Sequence, residues 1–234
     1  MKNNYGVLLF LFYLIFSAAV YGQEISIKVI EVKGIVDIKT PEAGWQKALD
    51  GTILSPGFEV TTGFRSQLTL EIGNSSYITI NQNTTFSLDV VRARQREAII
   101  ETRFVRGYIV AYAKKVDNFS NKIFVSFDEG SVIFENSGGE IYSKRPDGVF
   151  VNNFLGKSTV KGKMLDTAFL GNDEKCMVNS DGKIIDGNYL TKRLAKAKPS
   201  FIDNVLLENS YYGNETPIFS QEYDWNDYTN QFRP

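Results

Sequence analysis

Histidine is absent from all 234 residues of this chain, and cysteine occurs once, as Cys176. The missing imidazole removes Ser-His-Asp and Cys-His nucleophile chemistry, the commonest zinc ligand and the usual general base near neutral pH. Carboxylate, lysine and tyrosine chemistry stay open. A single thiol excludes an intramolecular disulfide framework and any cysteine-rich metal cluster, and reads as a small buried apolar side chain. An excess of one charge is lacking as well. Lys and Arg number 26 against 27 Asp and Glu, so the net charge of −1 gives no bias toward nucleic acid or an anionic membrane.

What is present suits a globular β-protein. The chain is 43% hydrophobic with 17 Phe and 12 Tyr, enough for one substantial core or two small ones. Its first residues, "MKNNYGVLLFLFYLIFSAAVYGQE", place Lys2 before an apolar run from Val7 to Val20 and then small residues. That run is shorter than the ~20 residues a membrane span needs and fits the core of a secretory signal peptide. Val20 and Gly22 sit at the small-residue positions before a cut, giving a mature chain from Gln23; a cut after Ala19 is the alternative. No cysteine follows the run to carry a lipid anchor. The expected product is exported, with residues 1–22 removed and no stable membrane span left.

From Gln23 the apolar period is two. Ile25, Ile27 and Val29 alternate, and then the parity switches to Ile30, Val32, Val36 and Ile38, which predicts a bulge or break near Val29–Ile30. Leu68, Leu70 and Ile72, then Ile78 and Ile80, then Phe86, Leu88 and Val90 continue the pattern of half-buried antiparallel strands. "DGT", "SPG", "TTG" and "GNSS" punctuate them, and further turns are expected at Asp128–Gly130, Ser137–Gly139, Pro146–Gly148 and Gly156. The stretch "GFEVTTG" raises the question of a phosphate loop. Such a loop needs Gly-Lys-Ser/Thr entering a helix, whereas Gly63 precedes Phe64, Arg65 and a strand pattern. Gly57 and Gly63 therefore read as corners, with a strand between them.

A last β-like stretch runs to about Asp186. Beyond it, Leu190, Leu194 and Ala197 have helical spacing that Pro199 ends. The tail that follows carries six acids, no base before Arg233, and the aromatics Tyr211, Tyr212, Phe219, Tyr223, Trp225, Tyr228 and Phe232. The expected architecture is all-β, an antiparallel two-layer sandwich or short β-solenoid over residues 23–187. A short C-terminal helix and an extended acidic tail occupy 188–234.

Several of these residues, in order, resemble the FecR domain of bacterial envelope proteins. The pattern is Gly34 and Val36 in a G-x-V turn, Trp45, then Gly51, Leu54 and Gly57 as G-x-x-L-x-x-G, then Thr62–Gly63 and the Gly73 turn. It covers Val29 to Leu88. A weaker second part follows through Gly107, Gly138–Gly139 and Gly156. The resemblance implies an exported or periplasmic, non-enzymatic β-domain that acts by contact with other envelope components, with no cofactor and no catalytic residues to transfer. The best-known relatives relay a ferric-siderophore signal to a sigma factor through a membrane helix and a cytoplasmic segment. With its signal peptide removed this chain is expected to have neither, so the relay is not carried over. Gly34, Gly51, Gly57, Gly63 and Gly73 are structural turns in this reading.

Candidate interaction residues remain. Arg92, Arg94 and Arg96 alternate, with Arg103 and Arg106 nearby, and read either as a solvated edge strand or as a face for an acidic partner. Tyr223, Trp225 and Tyr228 are the tail's candidate anchors, on this chain's own sheet or arginine row first and on an envelope protein or polymer second. The competing reading is a carbohydrate-binding or carbohydrate-active protein using paired carboxylates. Asp128/Glu129 and Asp173/Glu174 are adjacent in sequence and so point to opposite faces of a strand; both pairs read as turn residues. Asn179, Asp181 and Asp186 lack the order of a calcium loop.

Overall fold

The computed structural model describes residues 25–186, apart from Asn74, Gln95, Asp117, 145–147 and Leu165. The expected signal peptide, C-terminal helix and acidic tail lie outside the described residues. Within them every regular element is a strand. The first eight in chain order are β1 (Ile27–Lys33), β2 (Val36–Thr40), β3 (Gly44–Lys47), β4 (Ile53–Leu54), β5 (Phe58–Thr62), β6 (Gln67–Ile72), β7 (Ser76–Ile80) and β8 (Thr85–Arg94). The other eight are β9 (Glu97–Arg106), β10 (Tyr108–Ala113), β11 (Ser120–Phe127), β12 (Gly130–Lys144), β13 (Gly148–Gly162), β14 (Thr167–Leu170), β15 (Glu174–Asn179) and β16 (Ile184–Asp186).

All sixteen join one curled sheet. One arm runs β3-β2-β5-β8-β9 and the other β10-β7-β6-β1-β4, and the β11–β12 hairpin lies between them. β13 adds to β12 and carries β14, β15 and β16. The pairings are antiparallel with one exception among the described residues, β9 with β11, so the sheet is mixed where the sequence pattern reads as antiparallel. The reason is topological. β10 leaves β9 to pair with β7, and β11 returns alongside β9 in the same direction.

Alternation decides which residues enter the core. Phe58, Phe86, Phe104 and Phe134 are fully buried, with isoleucines and leucines of both arms, in one connected cluster. In β1 the register against β6 shifts between Val29 and Glu31, so the parity switch in the sequence is a bulge. Ile30 turns to the opposite face, beside Tyr77 and Tyr112, and Val32 packs against the core. A second bulge in β8, between Leu88 and Val90, was not foreseen. It makes Val91, not Val90, the residue that packs on the core after Leu88.

Two expected turns are corrected in the same way. Ser137–Gly139 and Gly156 lie inside the long strands β12 and β13, as paired irregularities of one ribbon. β12 changes partner here, with Lys122–Phe127 of β11 along its first part and Tyr108–Tyr112 of β10 along its second. The ribbon must kink, and the glycines let it. A Cβ on Gly139 would lie 2.4 Å from the Asn152 carbonyl oxygen, and one on Gly156 2.8 Å from the Ser137 Cβ.

The two arms differ in their second faces. On β9 and β11 buried positions alternate with partly or fully exposed ones. β7 is buried at every position from Ser76 to Ile80, so both its faces are covered. Its neighbours continue that second buried face with Thr69 on β6, and with Tyr108 and Val110 on β10.

Candidate functional site

The arginine strand is positioned by the bulge at Asp89. Phe86 and Leu88 fill the core, Val91 follows, and Arg92 is carried to the opposite, exposed surface. Its guanidinium lies 3.6 Å from Glu101 on β9. Arg94 sits at the register position opposite Glu97. Arg96 is not part of the strand: it is exposed in the β8–β9 turn, where its carbonyl accepts the Ser120 N–H at 2.8 Å. Arg103 meets Asp128 at 3.3 Å, and Arg106 is exposed at the end of β9. One strand further, the Lys122 ammonium lies 2.6 Å from Glu97 and 3.4 Å from Glu135, and the hydrogen bond to Glu97 raises its pKa. The exposed face of β8, β9 and β11 is thus a ladder of alternating charges, each pair worth ~0–1 kcal/mol at such exposure.

The strand's edge is less well covered than its face. β5 pairs only with Thr85–Leu88, so from Val90 to Arg94 the one partner among the described residues is β9. No described strand pairs with these five residues on the other side. Behind this segment lies a cavity of about 220 Å³, reached between Ala93, Ala98 and Ile100 on one side and Ile25 and Ile72 on the other. In its polar lining the Ser75 hydroxyl donates to the Gly73 carbonyl at 3.2 Å, and the Asn121 amide to the Lys114 carbonyl at 2.7 Å. Ile25, Ile72, Ala93, Ala98 and Ile100 form its apolar side.

The carboxylates are placed as follows. Asp128 and Glu129 form the β11–β12 turn, and the Glu174 carboxylate accepts the Gly171 N–H at 2.6 Å. Asn179 caps the β15–β16 turn by accepting the Lys183 N–H at 2.8 Å. Among the described residues no group of three or more His, Cys, Asp or Glu is arranged to hold a metal ion. Sequence reasoning passed over Glu140, a buried acid on β12. The Tyr108 hydroxyl donates to it at 2.6 Å and the Asn152 amide at 3.1 Å. Burial pushes its carboxyl pKa up, against those bonds and the charge of Lys175. Burial likewise lowers the pKa of Lys175. The available signal was a lone acid in the apolar run "GGEIY", facing Asn152 across the ribbon.

The turn glycines occupy corners. Gly34, Gly51, Gly57 and Gly73 have φ between 59° and 95°, in the left-handed region. Gly63 does not; its N–H donates to the Ile35 carbonyl and its own carbonyl accepts from Asn83, at 2.8 and 3.1 Å. β5 fills the interval between Gly57 and Gly63, and no helix begins there. Tyr223, Trp225 and Tyr228 lie outside the described residues.

No family model matches the chain, and no curated protein matches it. Two crystal structures of a protein provisionally described as an anti-sigma factor from Parabacteroides distasonis are similar to it at 14% identity and a TM-score of 0.44. One likeness covers 65% of this chain and 74% of that one, the other 70% and 81%.

Proposed function

We propose that the chain is an exported, FecR-like β-domain that binds another component of the bacterial envelope and performs no catalysis. The two arms, which share one core, act in this reading as the two layers of a sandwich. The observation that carries the reading is the open edge of β8 from Val90 to Arg94, with Arg92 beside it and a cavity behind it. An extended segment of an acidic envelope protein is the partner this edge fits. Its main chain completes the ladder, its carboxylates meet the arginines, and one apolar side chain enters the cavity. Glu101 and Asp128 hold the arginines in place until then and are exchanged for the partner's acids. Exposed charges of this kind set association rate and salt dependence more than affinity.

The mature chain from Gln23, with a photoreactive residue at Val90, is incubated with envelope extract and crosslinked. The expected adducts are to acidic, extended segments, and they diminish in an Arg92→Glu/Arg94→Glu variant and in high salt. An identical set of adducts from that variant, folded to the same melting temperature, refutes the site.

A further inference from the structure

At one end of the sheet four corners meet. There β1 gives way to β2, β5 to β6, β7 to β8 and β9 to β10. Register joins them: Lys33 pairs with Gln67, Leu68 with Ile80, Val36 with Thr62, and Thr85 with Arg106. Three large apolar side chains stand out from this end, Ile35 at 61% exposure, Phe64 at 66% and Val105 at 39%. Val105 is the extra residue of an irregularity in the β8–β9 register. Corners ordinarily carry small polar residues, so an apolar cluster there calls for an occupant. We propose that this end docks peripherally on an anionic phospholipid bilayer, with Ile35 and Phe64 entering the boundary between headgroups and acyl chains.

A segment leaves water without penalty only where its main-chain polar groups are bonded within the protein. Bonds of this kind run through the corners. The Ile35 N–H donates to the Ser66 hydroxyl and the Ile35 carbonyl accepts the Gly63 N–H, both at 2.8 Å. The Gly63 carbonyl accepts the Asn83 N–H at 3.1 Å, and the Arg65 N–H donates to the Gln82 side-chain oxygen at 2.8 Å. The Ser66 hydroxyl in turn donates to the Phe64 carbonyl at 3.1 Å. Ser66 and Gln82 are themselves buried. Arg65 and Asn83 hold left-handed backbone, φ +52° each, a geometry that persists only where the surroundings fix it. The apolar side chains are thus presented on a fixed support, and docking them costs little ordering.

The cations complete the match. The Arg65 guanidinium lies 5.3 Å from the centre of the Phe64 ring, and Arg106 is exposed opposite Thr85. Among the described residues neither makes an ion pair, whereas Glu31 and Asp128 on the flanks are held by Lys33 and Arg103. Guanidinium groups beside inserted apolar side chains reach the depth of the lipid phosphates. A protein partner needs a cleft shaped to these separate tips; a bilayer surface needs no such fit. The net charge of −1 adds no long-range attraction, so binding rests on this end alone. β8 runs away from it, which leaves Val90–Arg94 ~17–30 Å from the lipid and free for the partner proposed above.

The chain 23–234, which lacks the apolar run from Val7 to Val20, is sedimented with phosphatidylglycerol–phosphatidylethanolamine vesicles and with phosphatidylcholine vesicles. Binding is expected to the anionic vesicles. It should weaken about 10-fold or more in Ile35→Ser/Phe64→Ser, and about 5-fold for each of Arg65→Asn and Arg106→Gln. All four side chains are exposed, so the variants should melt like the parent. Cys176 is buried, so acrylodan can be placed on Phe64→Cys, and separately on Glu42→Cys in the turn beyond the far end of β2. The first label should shift to the blue with anionic vesicles and the second should not. Absence of binding, undiminished binding by Ile35→Ser/Phe64→Ser, or equal binding to phosphatidylcholine overturns the proposal. So does a blue shift at Phe64→Cys that grows with protein concentration in the absence of vesicles, which gives this end to a second copy.

Discussion

Replacing Gly139 by alanine should be far more damaging than its size suggests. The added methyl would lie 2.4 Å from the Asn152 carbonyl oxygen and 2.5 Å from Phe134 Cε1. Favourable contact begins at ~3.5 Å, so each neighbour must give about 1 Å. Neither is free to. Phe134 is fully buried in the core, and the Asn152 carbonyl belongs to β13, paired with β12 on one side and β15 on the other. Overpacking of a fixed core costs ~1–3 kcal/mol and sometimes more, so two simultaneous clashes place Gly139→Ala at about 3 kcal/mol or above. Gly51→Ala is the control for conformation alone. It has φ +78° and nothing within 4 Å of the new methyl, leaving only the left-handed penalty of ~1–2 kcal/mol. Gly63→Ala, with ordinary φ, should be near neutral. At ~2–4 °C per kcal/mol, Gly139→Ala should lower Tm by about 6–12 °C or more and Gly51→Ala by about 2–8 °C. Calorimetry on the three variants settles the order. If Gly139→Ala melts at or above Gly51→Ala, the close approach of β12 and β13 is not as described.

Glu140 should make the protein less stable as pH rises. Its carboxyl pKa is raised above the ordinary 4.5, so the native state binds that proton more tightly than the unfolded chain. The contribution is full below the unfolded value and lost as pH climbs through the folded one. Urea midpoints of Glu140→Gln between about pH 5 and 8 should therefore fall less than those of the parent; parallel curves count against the burial argument. A double-mutant cycle on Arg92→Ala and Glu101→Ala should give a coupling below ~1 kcal/mol, because both side chains are well exposed. A larger value would make the charge ladder a stabilising network. The Cys176 thiol, buried in the core, should react with a maleimide only as fast as the protein unfolds, and prompt labelling of native protein contradicts its placement.

The period-two pattern carried much of the architecture. The all-β class, the strand between Gly57 and Gly63, and the bulge at Ile30 follow from side-chain alternation, which local sequence records. What it does not record is who pairs with whom. Gly138–Gly139 and Gly156 read as turns because glycine marks a turn and a kink alike; only the partner switch along β12 tells them apart. Val90 was placed in the core by continuing a parity that the bulge at Asp89 breaks. The parallel β9–β11 pair depends on a crossover through β10 that no window of sequence contains. For the site, the arginine spacing was legible, but Arg96's place in the turn and the acids facing the row were not. Glu140 was missed because a buried acid is defined by Tyr108 and Asn152, which come from two other strands.

The position of the β11–β12 hairpin bears on the order in which the chain can assemble. Up to Ala113 the polypeptide holds both arms, but their inner strands β9 and β10 do not touch as neighbours. β9 is then bonded only to β8 and β10 only to β7, and the second edge of each gains its partner when Ser120–Lys144 arrives. The hairpin is a keystone. Before it is set, two arms sharing a core present unpaired edges at β9 and β10, the kind of surface on which nascent chains associate wrongly. Folding of this domain is thereby tied to the late, long-range closure of one hairpin. The rate should follow that closure more than the stability of either arm.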